Sequence, residues 1–176
     1  MTTNQGATTI DRLIAIGLAL LAASAAAAEP NPTDNPSSFT PQRDAAVVYV
    51  KERSFYISRM AQRCRKILDM PESPDSQPEA TAWNAANRRY STAVAIYESK
   101  QQPADPIQAF QSSLALGKER LKSAYAKADR ELDSSDDRTL RCNRFFADSQ
   151  AGKLDITPQD EHYEVLEGIA REFVRR

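Results

Sequence analysis

VVYVKERSFYISRMAQRCRKIL, residues 47–68, places apolar or small side chains at alternating steps of three and four residues. The positions that follow this repeat are Val47, Val50, Ser54, Ile57, Ala61, Cys64 and Leu68. Side chains at such spacing share one face of an α-helix. The stretch therefore predicts a long helix packed in a bundle, with Cys64 on its buried side.

Four further segments repeat this pattern. A second helix would bury Trp83, Ala86, Tyr90, Ala93 and Tyr97, and a third would bury Ile107, Phe110, Leu114, Gly117, Leu121, Ala124 and Ala128. A shorter fourth helix after the acidic loop 133–137 carries Leu140, Cys142, Phe145 and Phe146, and the last carries Tyr163, Leu166, Ala170 and Phe173. The fold predicted is all-α, an antiparallel helical bundle of four to five helices joined by short loops.

Helix-start signals precede these segments. Thr40-Pro41, Asp105-Pro106 and Thr157-Pro158 each place an N-cap residue before a proline of the first turn. Ser76 with Glu79 forms a capping-box pattern. The last helix is accordingly expected to run from Thr157.

The beginning of the chain has the pattern of a secretory signal. Residues 13–28 form an apolar run that follows Arg12 and ends in alanines. The run is shorter than the roughly 20 residues that span a bilayer as a helix, and its end suits a small-residue cleavage site. We expect a signal peptide over residues 1–28, cleaved near Ala28. The alternative is an uncleaved signal that anchors the protein.

The remaining chain divides into two parts. Residues 29–39 are polar and rich in proline, which predicts a flexible N-terminal segment, and residues 40–176 form a single helical bundle domain. The formal net charge is −1, so bulk charge does not suggest a nucleic-acid partner. We expect a periplasmic or secreted protein with no stable membrane insertion after cleavage.

Cys64 and Cys142 are the two cysteines. In an exported chain, two cysteines inside amphipathic helices are most simply a disulfide. The alternatives are reactive thiols, because basic residues adjoin both positions in sequence, or a metal site. A metal site would need ligands beyond two sulfurs and one histidine.

Catalytic and cofactor signals are weak. His162 is the only histidine, so any hydrolytic triad has a single possible base, and neither a G-x-S-x-G elbow nor a phosphate-binding glycine loop occurs. We expect no catalysis, no metal and no cofactor. One alternative is a haem held by Met60 on the first helix and His162 near the last, as in bundles of the cytochrome b562 type.

The predicted disulfide implies a cationic surface. Joining the first helix to the fourth would gather six basic residues, namely Arg63, Arg65, Lys66, Arg138, Arg141 and Arg144. Such a patch could bind an acidic partner, unless Asp69, Glu161 and Glu164 neutralise it.

These features favour a periplasmic interaction or binding module that acts through its surface. Such a protein would be an adaptor, an inhibitor, an immunity-type protein or a holdase. Its partner would be another envelope or periplasmic protein, or an acidic envelope component. The alternative function is a carrier of a small apolar ligand or haem in the bundle core.

Overall fold

The computed structural model describes residues 39–71 and 77–174. Within these ranges the chain is all-helical, with no strand and six helices. They are α1 (Pro41–Ile67), α2 (Pro78–Ala86), α3 (Arg88–Gln101), α4 (Pro106–Asp133), α5 (Arg138–Gln150) and α6 (Tyr163–Phe173). The all-α prediction is confirmed. The predicted signal peptide, lead-in residues 29–38 and Ser76 lie outside the described residues.

Helix α1 is the centre of the packing, since it contacts each of the other five helices. Its buried side includes Val47, Val50, Ile57 and Cys64, as the repeat predicted, and also Met60. Consecutive layers reverse direction. The segment α2–α3 runs antiparallel to α1, α4 runs parallel to α1, and α5–α6 runs antiparallel to it again.

Two ion-pair regions show that α4 runs parallel to α1. Lys51 in the first half of α1 and Arg120 in the middle of α4 both pair with Glu98 of α3, and near the ends of the two helices Arg63 pairs with Asp133 at 3.2 Å. Helix α6 descends the opposite way, because His162 lies beside Tyr49 and Glu172 pairs with Arg43.

The predicted second helix is two helices, because the α-helix is interrupted at Asn87. Asn87 is buried, and its Nδ2 donates to Trp83 O at 2.9 Å and to Asp155 Oδ1 at 3.0 Å. An asparagine amide that bonds local backbone competes with continuous helix. This break accounts for six helices where four to five were expected.

The last helix begins at Tyr163, so the start predicted at Thr157 is wrong. Asp160 is the reason. Its Oδ2 accepts from Thr157 N at 2.7 Å, and its Oδ1 accepts from Arg53 Nη1 at 2.8 Å. The carboxylate holds residues 157–160 in a turn against α1, and helix forms only beyond it.

The other predicted starts are confirmed where they are described. Thr40 Oγ1 accepts from Arg43 N at 3.3 Å, and Asp105 Oδ1 accepts from Gln108 N at 2.9 Å. Phe39, assigned to the lead-in, packs its ring 5.2 Å from that of Tyr97.

The predicted face of α4 is buried only over its second half. Ala124, Ala128 and Leu132 are buried. The residues of the first half that were expected in the core are exposed: Ile107, Phe110, Leu114 and Leu121. Two other predicted core residues, Ala86 and Leu140, are exposed as well.

Candidate functional site

The disulfide between Cys64 and Cys142 joins α1 to α5. The two Cα atoms are 5.1 Å apart, and both residues are fully buried. The predicted bond is therefore confirmed. With both sulfurs in this bond, neither cysteine is a free thiolate or a metal ligand in the oxidised protein.

The six basic residues lie on α1 and α5, the two helices that this bond joins, but carboxylates accompany most of them. The ion pairs are Arg63 with Asp129 and Asp133, Arg65 with Glu79, Arg138 with Asp133, Arg141 with Glu131, and Arg144 with Asp148. Lys66 is exposed and has no ion pair among the described residues.

The neutralising carboxylates differ from those expected. They come from α2, α4 and α5, whereas Asp69, Glu161 and Glu164 form no ion pair with the six cations in the described part of the chain. An arginine already engaged by a carboxylate attracts an external anion weakly. The cluster thus serves largely to tie helices to one another, α1 to α2 and α4 and α5 to α4.

Glu131 is the centre of one such tie. It accepts from the Tyr56 hydroxyl at 2.6 Å and from Arg141 Nε at 2.7 Å. Burial pushes the pKa of Glu131 up, but the hydrogen bonds from Tyr56 and Arg141 outweigh it, and the net shift is downward. Burial, and then the bond to Glu131, raises the pKa of Tyr56. The carboxylate is held ionised and the phenol neutral.

Asp160 forms a similar network in the connection between α5 and α6. Burial raises its pKa, but hydrogen bonds from Tyr49, Thr157 and Arg53 bring it below the usual range. Burial, followed by the bond to Asp160, raises the pKa of Tyr49 to about 12. His162 packs its ring on Tyr49, with centroids 5.2 Å apart.

The structure does not bring Met60 and His162 together. His162 lies beside Tyr49, which precedes Met60 by 11 residues on α1. At 1.5 Å per residue, that is about 16 Å along the helix axis. The reason is that α5, and not the last helix, runs beside the end of α1.

The described ranges contain neither a metal-binding cluster nor a membrane-spanning helix. No group of three or more histidine, cysteine or acidic side chains lies close enough to hold a metal ion. No helix in residues 39–71 and 77–174 has the length and apolarity of a membrane span.

A groove of about 590 Å³ lies between α1, α3 and α4. Its apolar wall includes Val47, Phe55, Tyr97 and Leu116. Its charged side chains include Lys51, Glu98 and Arg120, with Lys51 Nζ 3.1 Å from Glu98 Oε2. The groove can take a ligand with both apolar and polar parts.

The surface that sequence reasoning missed is the α4 stripe, which we define as Ile107, Phe110, Leu114 and Leu121. Ile107 is 69% exposed and Phe110 is 68% exposed. Along this half of α4 a different side meets the body of the protein, since Ala109 is buried there. The size of the side chains could have distinguished the buried half of α4 from the exposed half. Small alanines at 124 and 128 allow α1 to approach closely, whereas the stripe is bulky.

Two lysines lie at the edge of the α4 stripe. Lys118 and Lys122 are both exposed, and neither makes an ion pair among the residues described. On the other edge, Arg120 is bound to Glu98. The stripe thus combines apolar side chains with unmatched positive charge.

No protein-family model matches the chain, and no curated protein or solved structure gives a significant match. The function must therefore be inferred from these residues.

Proposed function

We propose that this protein is an exported, periplasmic interaction module that binds another envelope or periplasmic protein, or an acidic envelope component, through its surface and without catalysis. Residues 1–28 would be its signal peptide, cleaved near Ala28, and the helices from Thr40 onward would form one bundle of layers in alternating direction. The disulfide supports export, since such bonds persist in oxidising compartments.

The observation that carries the proposal is the α4 stripe. Large apolar side chains that stay in water on one helical face are costly, and contiguous patches of them mark sites where a partner binds. Ile107 and Phe110 each expose more than two thirds of their surface. The same sequence buries Phe145 and Ile169 almost completely, so apolar residues are not exposed for lack of a core.

The rest of the molecule suits a rigid support for this surface. The second half of α4 is fixed to α1 by the bidentate pair of Arg59 with Asp129, at 2.9 and 3.0 Å, and by Tyr56 with Glu131. The first half of α4 is held on another side, where Ala109 is buried and Arg120 pairs with Glu98, so the helix presents the stripe without needing to refold. This lowers the entropy cost of binding.

Site-specific photo-crosslinking in the periplasm tests the proposal. A photoreactive residue at Phe110 should give covalent adducts with a partner. The matched control is Glu119, which is exposed on the opposite side of the same helix and should give none. Absence of adducts from both Phe110 and Leu114 would overturn an interaction role for this surface.

The groove between α1, α3 and α4 favours a second candidate, a carrier of a small amphiphilic ligand. Its apolar wall would hold the ligand body, and the paired charges of Lys51, Glu98 and Arg120 would meet a polar group of the ligand. Haem held by Met60 and His162 gains no support, because His162 lies beside Tyr49, about 16 Å along the axis of α1 from Met60. Native mass spectrometry of the periplasmic protein should find a bound small molecule if this function holds, and absorbance near 400 nm would report haem.

A further inference from the structure

We propose that the α4 stripe binds an amphipathic helix whose apolar ridge is flanked by aspartate or glutamate. This inference rests on the proposed interaction function and names the chemistry of the partner.

The spacing of the stripe indicates a helical partner. Ile107, Phe110, Leu114 and Leu121 occupy steps of three and four with Gly117 between them, which is the a and d pattern of helix pairs. The same register continues into Ala124 and Ala128, which are buried in the bundle. The exposed half thus has the geometry that the buried half already uses to pack.

Gly117 lies where the stripe borders the groove between α1, α3 and α4, and its lack of a side chain leaves this point accessible. A Cβ placed there would meet no heavy atom within 4 Å, so the space beside the glycine is open. A partner side chain can approach the α4 backbone at this point, as a knob enters a hole between helices.

The charge at the edge of the stripe indicates an acidic partner. Lys118 and Lys122 follow one edge beyond Gln111, and no carboxylate lies between this edge and the apolar side chains of the stripe. Glu119 lies on the outer flank of Lys122, which follows it by three residues, and about 160° around the axis from Leu121, so it does not face the stripe. A partner ridge with carboxylates along the facing edge would match both lysines.

A second copy of the chain is a poorer match. Paired antiparallel along the stripe, two copies would bring the Lys118 and Lys122 edges together without a carboxylate between them. Like charges that meet across a helix pair oppose association. The observations therefore favour a different protein over self-association.

Peptide binding to the purified full chain tests the inference. One labelled synthetic helix carries leucine at a and d and glutamate at the flanking positions, and its matched control carries lysine at those flanks. We expect the glutamate peptide to bind and the lysine peptide to bind at least fivefold more weakly at low salt, because two surface ion pairs change affinity by about that factor. The preference should shrink at about 0.5 M salt.

Variants assign the binding to this face. Phe110→Asp should abolish binding of the glutamate peptide. The double variant Lys118→Glu/Lys122→Glu should reverse the preference between the two peptides. Lys66→Glu, which reverses an exposed lysine in the basic cluster, is the control and should leave both affinities unchanged. Circular dichroism establishes that each variant is folded.

The outcomes separate the two proposals. The acidic-helix inference would be overturned if both peptides bind equally, if neither binds, or if the double reversal has no effect. It would also be overturned if the stripe mediates self-association, or binds phosphatidylglycerol vesicles in place of the peptide. Adducts from Phe110 in the periplasm would leave the interaction function standing in each of those cases. If Phe110 and Leu114 give no adducts but the purified chain prefers the glutamate peptide, the proposed function in the cell would be overturned. The preference of the stripe for an acidic helix would still stand.

Discussion

Asn87 links the break between α2 and α3 to the connection between α5 and α6. Its Nδ2 donates to Asp155 Oδ1 at 3.0 Å, and its Oδ1 accepts from the backbone N–H of Ile156 at 2.9 Å. Trp83 Nε1 adds a hydrogen bond to Leu154 O at 2.7 Å. The break between α2 and α3 thus satisfies polar groups of the connection between α5 and α6, and each break needs the other.

Replacing Asn87 by alanine should destabilise the fold by about 1–3 kcal/mol, because the N–H of Ile156 would stay buried without its acceptor. Urea unfolding monitored by circular dichroism measures the change. Asn143→Ala, at an exposed position on α5, is the control and should shift stability by less than about 0.5 kcal/mol. Similar values for both variants would contradict the buried network.

Removing the disulfide with Cys64→Ala/Cys142→Ala should cost about 4.5 kcal/mol, since the bond closes a loop of 78 residues in the unfolded chain. Urea unfolding with and without dithiothreitol gives the measurement. Reductant should lower the stability of the native chain and leave the variant unchanged. Two titratable thiols in the denatured, unreduced native chain would show that the bond is absent.

Stability should fall in acid, in part through Glu131. Its pKa is lowered in the folded protein, so its contribution is present above the ordinary carboxyl pKa and is lost as the pH drops through the folded value. Urea midpoints measured between about pH 7 and pH 2 should show this loss. Glu131→Gln should flatten the acid dependence, whereas Glu164→Gln, at an exposed position, should leave it unchanged.

Four of the six tyrosines should ionise late in an alkaline titration. Burial, followed by hydrogen bonds to carboxylates, raises the pKa of Tyr49 and Tyr97 to about 12, and it also raises the pKa of Tyr56 and Tyr90. The stability from Tyr49 and Tyr97 is present below pH 10 and is lost as the pH rises through about 12.

Absorbance at 295 nm follows this ionisation, and circular dichroism follows unfolding in the same samples. Tyr97→Phe should remove one late-ionising group. Ionisation of all six phenols near pH 10 in the folded protein would contradict the shifts.

Truncation of Phe110 and of Phe145 should have very different effects on stability. Phe145→Ala empties a buried position on α5 and should cost about 3–5 kcal/mol. Phe110→Ala should change stability by less than about 0.5 kcal/mol, because that ring is exposed. Thermal or urea unfolding compares them, and a large loss for Phe110→Ala would place the α4 stripe in the core.

Local chemistry made much of the fold predictable. The repeat along α1 predicted which side of it is buried, and the pairs Thr40-Pro41 and Asp105-Pro106 predicted two helix starts. Both signals act within one or two turns of helix. Thr157-Pro158 has the same pattern but failed, because Asp160 bonds to Arg53 of a distant helix and holds a turn there instead.

The candidate site was less predictable. The basic residues lie on the two helices that Cys64 and Cys142 join, and the α4 carboxylate that pairs with Arg63 is 66 residues away in sequence. Nothing within a helical segment says which acid will face which arginine. The α4 stripe was assigned to the core for the same reason, since its spacing equals that of a buried face.

The sequence by itself determined the helical class, the buried side of α1 and the pairing of its two cysteines, because periodicity, capping and cysteine count are properties of short segments or of composition. The tertiary structure alone decided that Asn87 interrupts a helix, that His162 lies far from Met60 along α1, and that half of the apolar face of α4 stays in water. The physical reason is that a helix face is buried only where another helix reaches it. The lengths and breaks of the neighbouring layers decide where that is.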